Sequence, residues 1–308
     1  MSKAFLLSIC IPTYNRAEIL RLTLNNLITN PDYDSDLVEI VVSDNFSSDD
    51  TQKVVQQFSE VKYFKQETNI GDENFYKALS YGNGLYLKLS NDTVFFKEGQ
   101  LAKIISVLRN FSRENRHLMF YQNSRFISNS NLSISSRSEF LDIFSYNSTW
   151  IANFGCWKRD FLLLNNPLQF ATLNFSQVDW TYSLVGNSRH TDIYVDDYYT
   201  VQNVSKKGGY NILRVFGVNY FEILRHFNLS NRSLQKEKFR VFKYFLLYWI
   251  KQLIVKENRD YTFKTNDYFR ILLVNYKYKP YFYWYLFWSY LQRFFYRVFL
   301  RLKIIEKT

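Results

Sequence analysis

Residues 5–16 read Phe5-Leu6-Leu7-Ser8-Ile9-Cys10-Ile11-Pro12-Thr13-Tyr14-Asn15-Arg16, and this stretch decides the fold. Phe5 to Ile11 is a short apolar run suited to a strand buried on both faces, and Leu20, Leu24, Leu27 and Ile28 then recur at helical spacing. The order is strand, polar turn, helix. Asn15 is placed to cap the helix, with Glu18 three residues on completing a capping box. The run follows Lys3, as in a secretory leader, but polar residues follow Pro12 where a small-residue cleavage site would stand, so it reads as a strand.

The pattern repeats outward. Val38 to Val42 is a second strand, with Ser47 as cap, Asp49 and Asp50 in the next first turn, and Thr51, Val54, Val55 and Phe58 on one face. Val61 to Phe64 is a third strand, followed by Asn69-Ile70-Gly71 and a helix for which Gly82 is the C′ residue. Leu85 to Leu89 is the fourth. Alternating strands and short helices predict an α/β fold with a doubly wound, mostly parallel sheet, whose ligand sits beyond the carboxyl ends of the strands. The strand ends carry Pro12-Thr13-Tyr14-Asn15-Arg16, Ser43-Asp44-Asn45 and Ser90-Asn91-Asp92-Thr93. Asp44 and Asp92 each close an apolar run, where a carboxylate serves a turn or a ligand. No G-x-G-x-x-G or P-loop follows strand one, which disfavours a dinucleotide fold.

Composition excludes other classes. The 308 residues are 47% apolar and 22% charged, with 9 Gly and 4 Pro, so the chain is globular rather than fibrous or disordered. Two cysteines, Cys10 and Cys156, make neither a disulfide framework nor a four-thiolate zinc site, and a reducing compartment is the default. His117, His190 and His226 lack metal-ligand spacing.

The blocks Ser8 to Arg16, Glu39 to Thr51 and Asn69-Ile70-Gly71, in that order and spacing, resemble the nucleotide-sugar half of family 2 glycosyltransferases with the GT-A fold. The resemblance covers roughly residues 5–110. It implies that Pro12, Thr13, Tyr14, Asn15 and Arg16 border the nucleotide and its diphosphate, and that Asp44 accepts from the pyrimidine imide N–H. It also places Asn69 and Asn74 at the nucleotide sugar. The family's metal motif falls at Ser90-Asn91-Asp92-Thr93, which offers one carboxylate, with Asn91 where a second acid is common. Asp92 with two phosphate oxygens and waters would still form an octahedral Mg²⁺ or Mn²⁺ site, and His190 is a candidate third ligand. The alternative is a metal-free enzyme in which Lys or Arg neutralises the diphosphate.

Inverting transfer needs one carboxylate to deprotonate the acceptor, beside the anomeric carbon. Asp179 of Gln177-Val178-Asp179-Trp180 is the candidate base, with Asp196-Asp197 as the fallback pair. Lys206-Lys207-Gly208-Gly209 is a loop whose lysines could meet the diphosphate, or a solvated turn. Phe126 to Ser138, rich in Ser and Asn, reads as a surface excursion.

Charge separates off the last quarter. Residues 1–235 hold 23 basic and 23 acidic residues, whereas residues 236–308 hold 16 basic and 5 acidic, the whole net +11. The expected organisation is a donor half over 1–110, an acceptor half over 111–235 and a basic, aromatic helical extension over 236–308. In the extension Phe242, Phe245, Leu246, Trp249, Ile250, Leu253 and Ile254 recur at helical spacing. Pro280 opens a final helix whose Arg293, Arg297 and Arg301 form one stripe. No uncharged run reaches the roughly 18–20 residues that span a bilayer. The tail fits a helix lying in the interface of an anionic membrane, with packing or homodimer formation as the competing use. Nucleic acid is disfavoured because no binding signature is present.

The expected protein is thus an inverting glycosyltransferase at the inner face of a bacterial cell membrane. It would move one sugar from a nucleotide-sugar donor, a UDP-sugar favoured, to a saccharide or lipid-linked saccharide in surface polysaccharide synthesis. The alternatives are a nucleotidyltransferase on a similar domain and a non-catalytic sugar-nucleotide sensor.

Overall fold

A computed structural model describes residues 5–114, 116–187, 190–202, 208–255 and 261–301. The chain divides into two compact units, residues 1–204 and 205–308. The charge boundary at residue 235 falls inside the second.

The first unit opens with β1 (Leu7–Thr13), α1 (Ala17–Ile28), β2 (Val38–Asp44), α2 (Thr51–Val55), β3 (Val61–Lys65), α3 (Glu73–Ser80) and β4 (Tyr86–Leu89). There follow β5 (Val94–Phe96), α4 (Gln100–Phe111), β6 (His117–Gln122), β7 (Ser130–Ile134), α5 (Arg137–Phe144), β8 (Gly155–Trp157), α6 (Lys158–Phe161), α7 (Ser176–Asn187), β9 (Thr191–Asp196) and β10 (Tyr199–Val201). The main sheet has the order β3-β2-β1-β4-β8, parallel except for β8. Every residue of β1, β2 and β4 is buried, which is why these strands read as apolar runs and not as alternation. Leu20, Leu24 and Leu27 of α1 and Leu101, Ile104 and Leu108 of α4 share the core with them.

The order reverses at β1, which sends the chain to β2 on one side and to β4 on the other. Register does the positioning. Thr13 pairs with Asp44, and Cys10 with Leu89, after which the Ser90 N–H donates to the Cys10 carbonyl at 2.9 Å. The three polar strand ends therefore share one edge. A second sheet, β6-β9-β7, lies in residues 117–196. Its β7 runs through the Ser- and Asn-rich segment expected as an excursion. That segment is a strand because Leu132 and Ile134 alternate with polar residues against β9.

The second unit is helical, with turns of π-helix at Val215–Asn219, Phe242–Leu246 and Lys251–Val255. Its core centres on Phe242, whose ring lies 5.4 Å from those of Tyr276 and Phe282 and 5.6 Å from that of Tyr281. The final helix runs Pro280–Arg301, opening at the proline as the sequence indicates.

Candidate functional site

Asp92 is the centre of the strand-end cluster. It is buried, and its carboxylate accepts from the Thr13 hydroxyl at 3.0 Å and from Arg16 Nη1 at 2.8 Å. Thr23 of α1 holds the same turn by donating to the Asp92 backbone carbonyl at 2.7 Å. Burial pushes the carboxyl above its usual range, and the Arg16 guanidinium and Thr13 hydroxyl pull against it. Beside it the Asn91 side-chain oxygen is buried with no hydrogen-bond partner. A carboxylate and an unspent amide oxygen are both hard donors of the kind a divalent cation takes. Among the described residues no group of three or more His, Cys, Asp or Glu forms a closed cage.

Asp44 is wholly buried. One oxygen accepts from the Ser47 N–H at 2.8 Å and the other from the Tyr63 hydroxyl at 2.6 Å. The aspartate expected to face a pyrimidine is thus the acceptor that folds the 44–47 turn. Tyr63, which pattern reading passed over as a strand residue, is its partner. Burial and the neighbouring carboxylate push its hydroxyl up, so it remains a donor. The turn presents Phe46 half exposed at φ 65°, a strained conformation for a bulky side chain. Tyr14, on the β1 turn, is exposed as well.

Asn15 also departs from expectation. It adopts φ 50°, and its side-chain oxygen accepts from the Ser48 N–H at 2.8 Å, tying the β1 turn to the β2 turn. The first residue of α1, Ala17, instead donates its N–H to Asp49 at 3.0 Å. Asp49 also accepts from the Thr51 N–H at 3.1 Å, so one carboxylate serves the starts of two helices. Partial burial works against its charge, but these hydrogen bonds prevail and hold it below the usual carboxylate range.

Asn45 clasps the third loop, donating to the Asn69 oxygen at 3.0 Å and to the Gly71 carbonyl at 3.1 Å, and accepting from the Ile70 N–H at 2.8 Å. Asn69 is exposed there. Asn74, expected beside the nucleotide sugar, is buried and spends both amide atoms on Ser43. Asp72, which the pattern did not single out, follows Gly71. Burial pushes it up to about 6, against a hydrogen bond from Asn174.

Asp179 lies in the first turn of α7, buried, with both oxygens 3.1 Å from Gln169 Nε2. Asp196 and Asp197 are committed elsewhere. Asp196 pairs with Lys103 at 2.8 Å and Asp197 with Lys97. The Lys97 hydrogen bond holds Asp197 below the carboxylate range, and Lys103 does the same for Asp196 against partial burial. The fallback pair closes a strand.

His190 is not brought to Asp92. It precedes β9, whose first residue pairs with His117. The adjoining Arg116 carbonyl takes the Trp157 indole N–H, and Trp157 pairs with Tyr86 at the start of β4. Asp92 follows the end of that strand. The parallel course of β6 and β9 separates the two. Lys206 and Lys207 lie outside the described residues.

Residues 8–164 match the family model for glycosyl transferase family 2, half of the chain, and the protein belongs to that family. A stretch of 87 residues is 37% identical to abequosyltransferase RfbV of Salmonella typhimurium, and it spans 26% of this chain and 26% of that relative. Among solved structures the chain resembles TarS residues 1–349 of S. aureus, with a TM-score of 0.58 and 15% identity over 81% of this chain and 75% of that one. It also resembles the mannosyltransferase PcManGT of Pyrobaculum calidifontis, solved with GDP-Man and Mn²⁺, with a TM-score of 0.51 and 14% identity over 95% and 88% of the chains. At such identities the likeness is one of fold, the GT-A fold.

Proposed function

We propose that the protein is an inverting glycosyltransferase that moves one sugar from a nucleotide-sugar donor to a saccharide acceptor in bacterial surface polysaccharide synthesis. The observation that carries this reading is the Thr13–Asp92–Arg16 cluster at the carboxyl edge of the sheet, where the strand order reverses. Membership of family 2 and the local identity to an abequosyltransferase support it.

The donor diphosphate sits against Arg16, which supplies fixed positive charge and, unlike Asp92, is largely exposed. Tyr14 and Phe46 offer ring faces to the base, a role that explains why the chain tolerates strain at Phe46. Asp92 and the unspent Asn91 oxygen would hold Mg²⁺ or Mn²⁺, which when bound neutralises charge on the leaving diphosphate. Asp179 accepts the proton of the acceptor hydroxyl as its oxygen attacks the anomeric carbon. The bond from that carbon to the diphosphate breaks, and the diphosphate leaves with the electron pair, inverting the centre. Gln169 holds the Asp179 carboxylate for this step.

The test is donor hydrolysis by the purified chain across UDP-, dTDP-, CDP- and GDP-sugars, with EDTA or Mn²⁺, comparing wild type with Asp92→Ala. Turnover of one donor that falls with Asp92→Ala is the expected result. If no donor is turned over and none shifts the melting temperature, the nucleotide-sugar reading fails. Binding without turnover, even with acceptor saccharides present, would identify a sensor.

A further inference from the structure

The final helix has two faces of opposite character. Phe282, Leu286 and Ser289 are buried, and Arg293 on the same side donates to the Ile254 carbonyl at 2.7 Å. On the opposite arc Trp284 is 60% exposed, Phe287 60%, Trp288 44%, Phe294 61% and Phe295 47%. At 100° per residue these five rings fall within about 120° of arc, a continuous stripe along the helix. They pack on one another rather than sinking inward: Trp284 and Trp288 centroids are 5.7 Å apart, as are those of Phe294 and Phe295. A stripe this size in water marks an interaction surface.

The expected basic stripe of this helix is not what faces outward. Arg293 is turned to the protein, where it satisfies a carbonyl in a π-helical turn, and the side chains of Arg297 and Arg301 lie outside the described ones. The outward face among described residues is aromatic. On the preceding segment Lys264, Arg270 and Lys277 are exposed beside a single exposed carboxylate, Asp267, and the Pro280–Arg301 sequence contains no carboxylate.

We propose that this aromatic stripe docks the protein on an anionic lipid surface, with the helix lying in the plane of the interface. The helix has no stretch apolar enough to cross a membrane, so it would lie along one. Two arguments select lipid. Tryptophan and tyrosine combine an apolar ring with a polar N–H or O–H, which suits headgroup depth. Charge decides against a second copy of the chain: residues 236–308 carry 16 basic and 5 acidic residues, so two such segments repel each other, whereas anionic headgroups complement their net charge. Docking there would tether the chain to the surface that carries a lipid-linked saccharide, a use that rests on the proposed transfer reaction.

The experiment is flotation of the full-length chain with vesicles of phosphatidylcholine, alone or with one quarter phosphatidylglycerol. The variants are the triple Trp284→Ser, Phe287→Ser, Trp288→Ser and, as a control on the inner face, Ser289→Ala. Wild type and Ser289→Ala should float with the anionic vesicles, and the triple variant should lose roughly tenfold or more of that partition. Its far-ultraviolet dichroism and vesicle-free donor hydrolysis should stay unchanged. Wild type remaining at the bottom with anionic vesicles, or the triple variant floating as well as wild type, overturns the proposal. So does a wild-type dimer in sedimentation that the triple variant converts to monomer without any lipid binding. Donor hydrolysis reports the transfer reading separately, so either can fail alone.

Discussion

At the scale of single residues, the proposed chemistry rests on carboxylates whose burial alone does not tell one role from another. Asp179→Asn should lower transfer by about 10²–10⁴-fold, the usual worth of a general base, while a melting-temperature titration shows donor binding retained. Gln169→Leu should reduce kcat more than it changes KM, because the amide positions the carboxylate and touches no donor in this reading. A steady-state split in the opposite sense would remove that role. Lys88 offers a pH test. It is fully buried on β4, donates to the Ala152 carbonyl at 2.6 Å, and burial pulls its ammonium down to about 7. Unfolded, it titrates near ~10.4, so between about pH 7 and 10 the folded chain binds fewer protons and stability rises with pH. Lys88→Met should flatten that rise and raise the melting temperature most at pH 7 and below, as thermal melts across the range would show. The polar residue types at the strand ends were legible in sequence. Which of them face a ligand was not, because the hydrogen bonds of Asp44 and Asn74 come from Tyr63 on β3 and Ser43 on β2, partners distant in sequence.

At the scale of elements, the two loops after β1 and β2 form one structure. Asn15 binds Ser48, Ser47 accepts from the Asn15 N–H at 2.8 Å, and Asp49 receives the first N–H of α1. Local capping rules assigned Asn15 and Ser47 to their own helices, and the register of β1 against β2 exchanged the partners. Asp49→Ala leaves two helix starts without an acceptor and should cost about 2 kcal/mol, read from denaturant unfolding. Because hydrogen bonds hold Asp49 low, the stability it contributes is present above the unfolded carboxylate value and is lost as pH falls through the folded one. Gly82 stands at C′ of α3, after the cap Tyr81, as the sequence indicates, but its φ is not positive, and an added Cβ would meet Leu87 at 2.7 Å and Ser8 at 3.0 Å. It is a glycine of close packing, as is Gly84, where a Cβ would lie 2.7 Å from the Ser8 nitrogen.

At the scale of the whole chain, an electrically neutral stretch of 235 residues is joined to one carrying all of the net charge. The consequence is measurable in salt. Partition onto anionic vesicles should weaken as sodium chloride rises from about 0.05 M to 0.5 M, since screening shortens the reach of the field to a few ångströms. The aromatic variant should be poor at every concentration, because ring insertion does not depend on ionic strength.

Sequence alone determined the alternation of strand and helix, the parallel sheet, the three polar strand ends and the separation of charge. Each is written in short-range order: runs of apolar residues, helical spacing, residue counts. Tertiary structure decided which polar groups remained available. It spent Asp196, Asp197 and Asn74 on neighbours distant in sequence, carried His190 to the opposite end of the strands from Asp92, and turned Arg293 inward beneath an aromatic face. A hydrogen bond consumes a lone pair or a proton wherever its partner lies along the chain, and only the fold brings those partners within 3 Å.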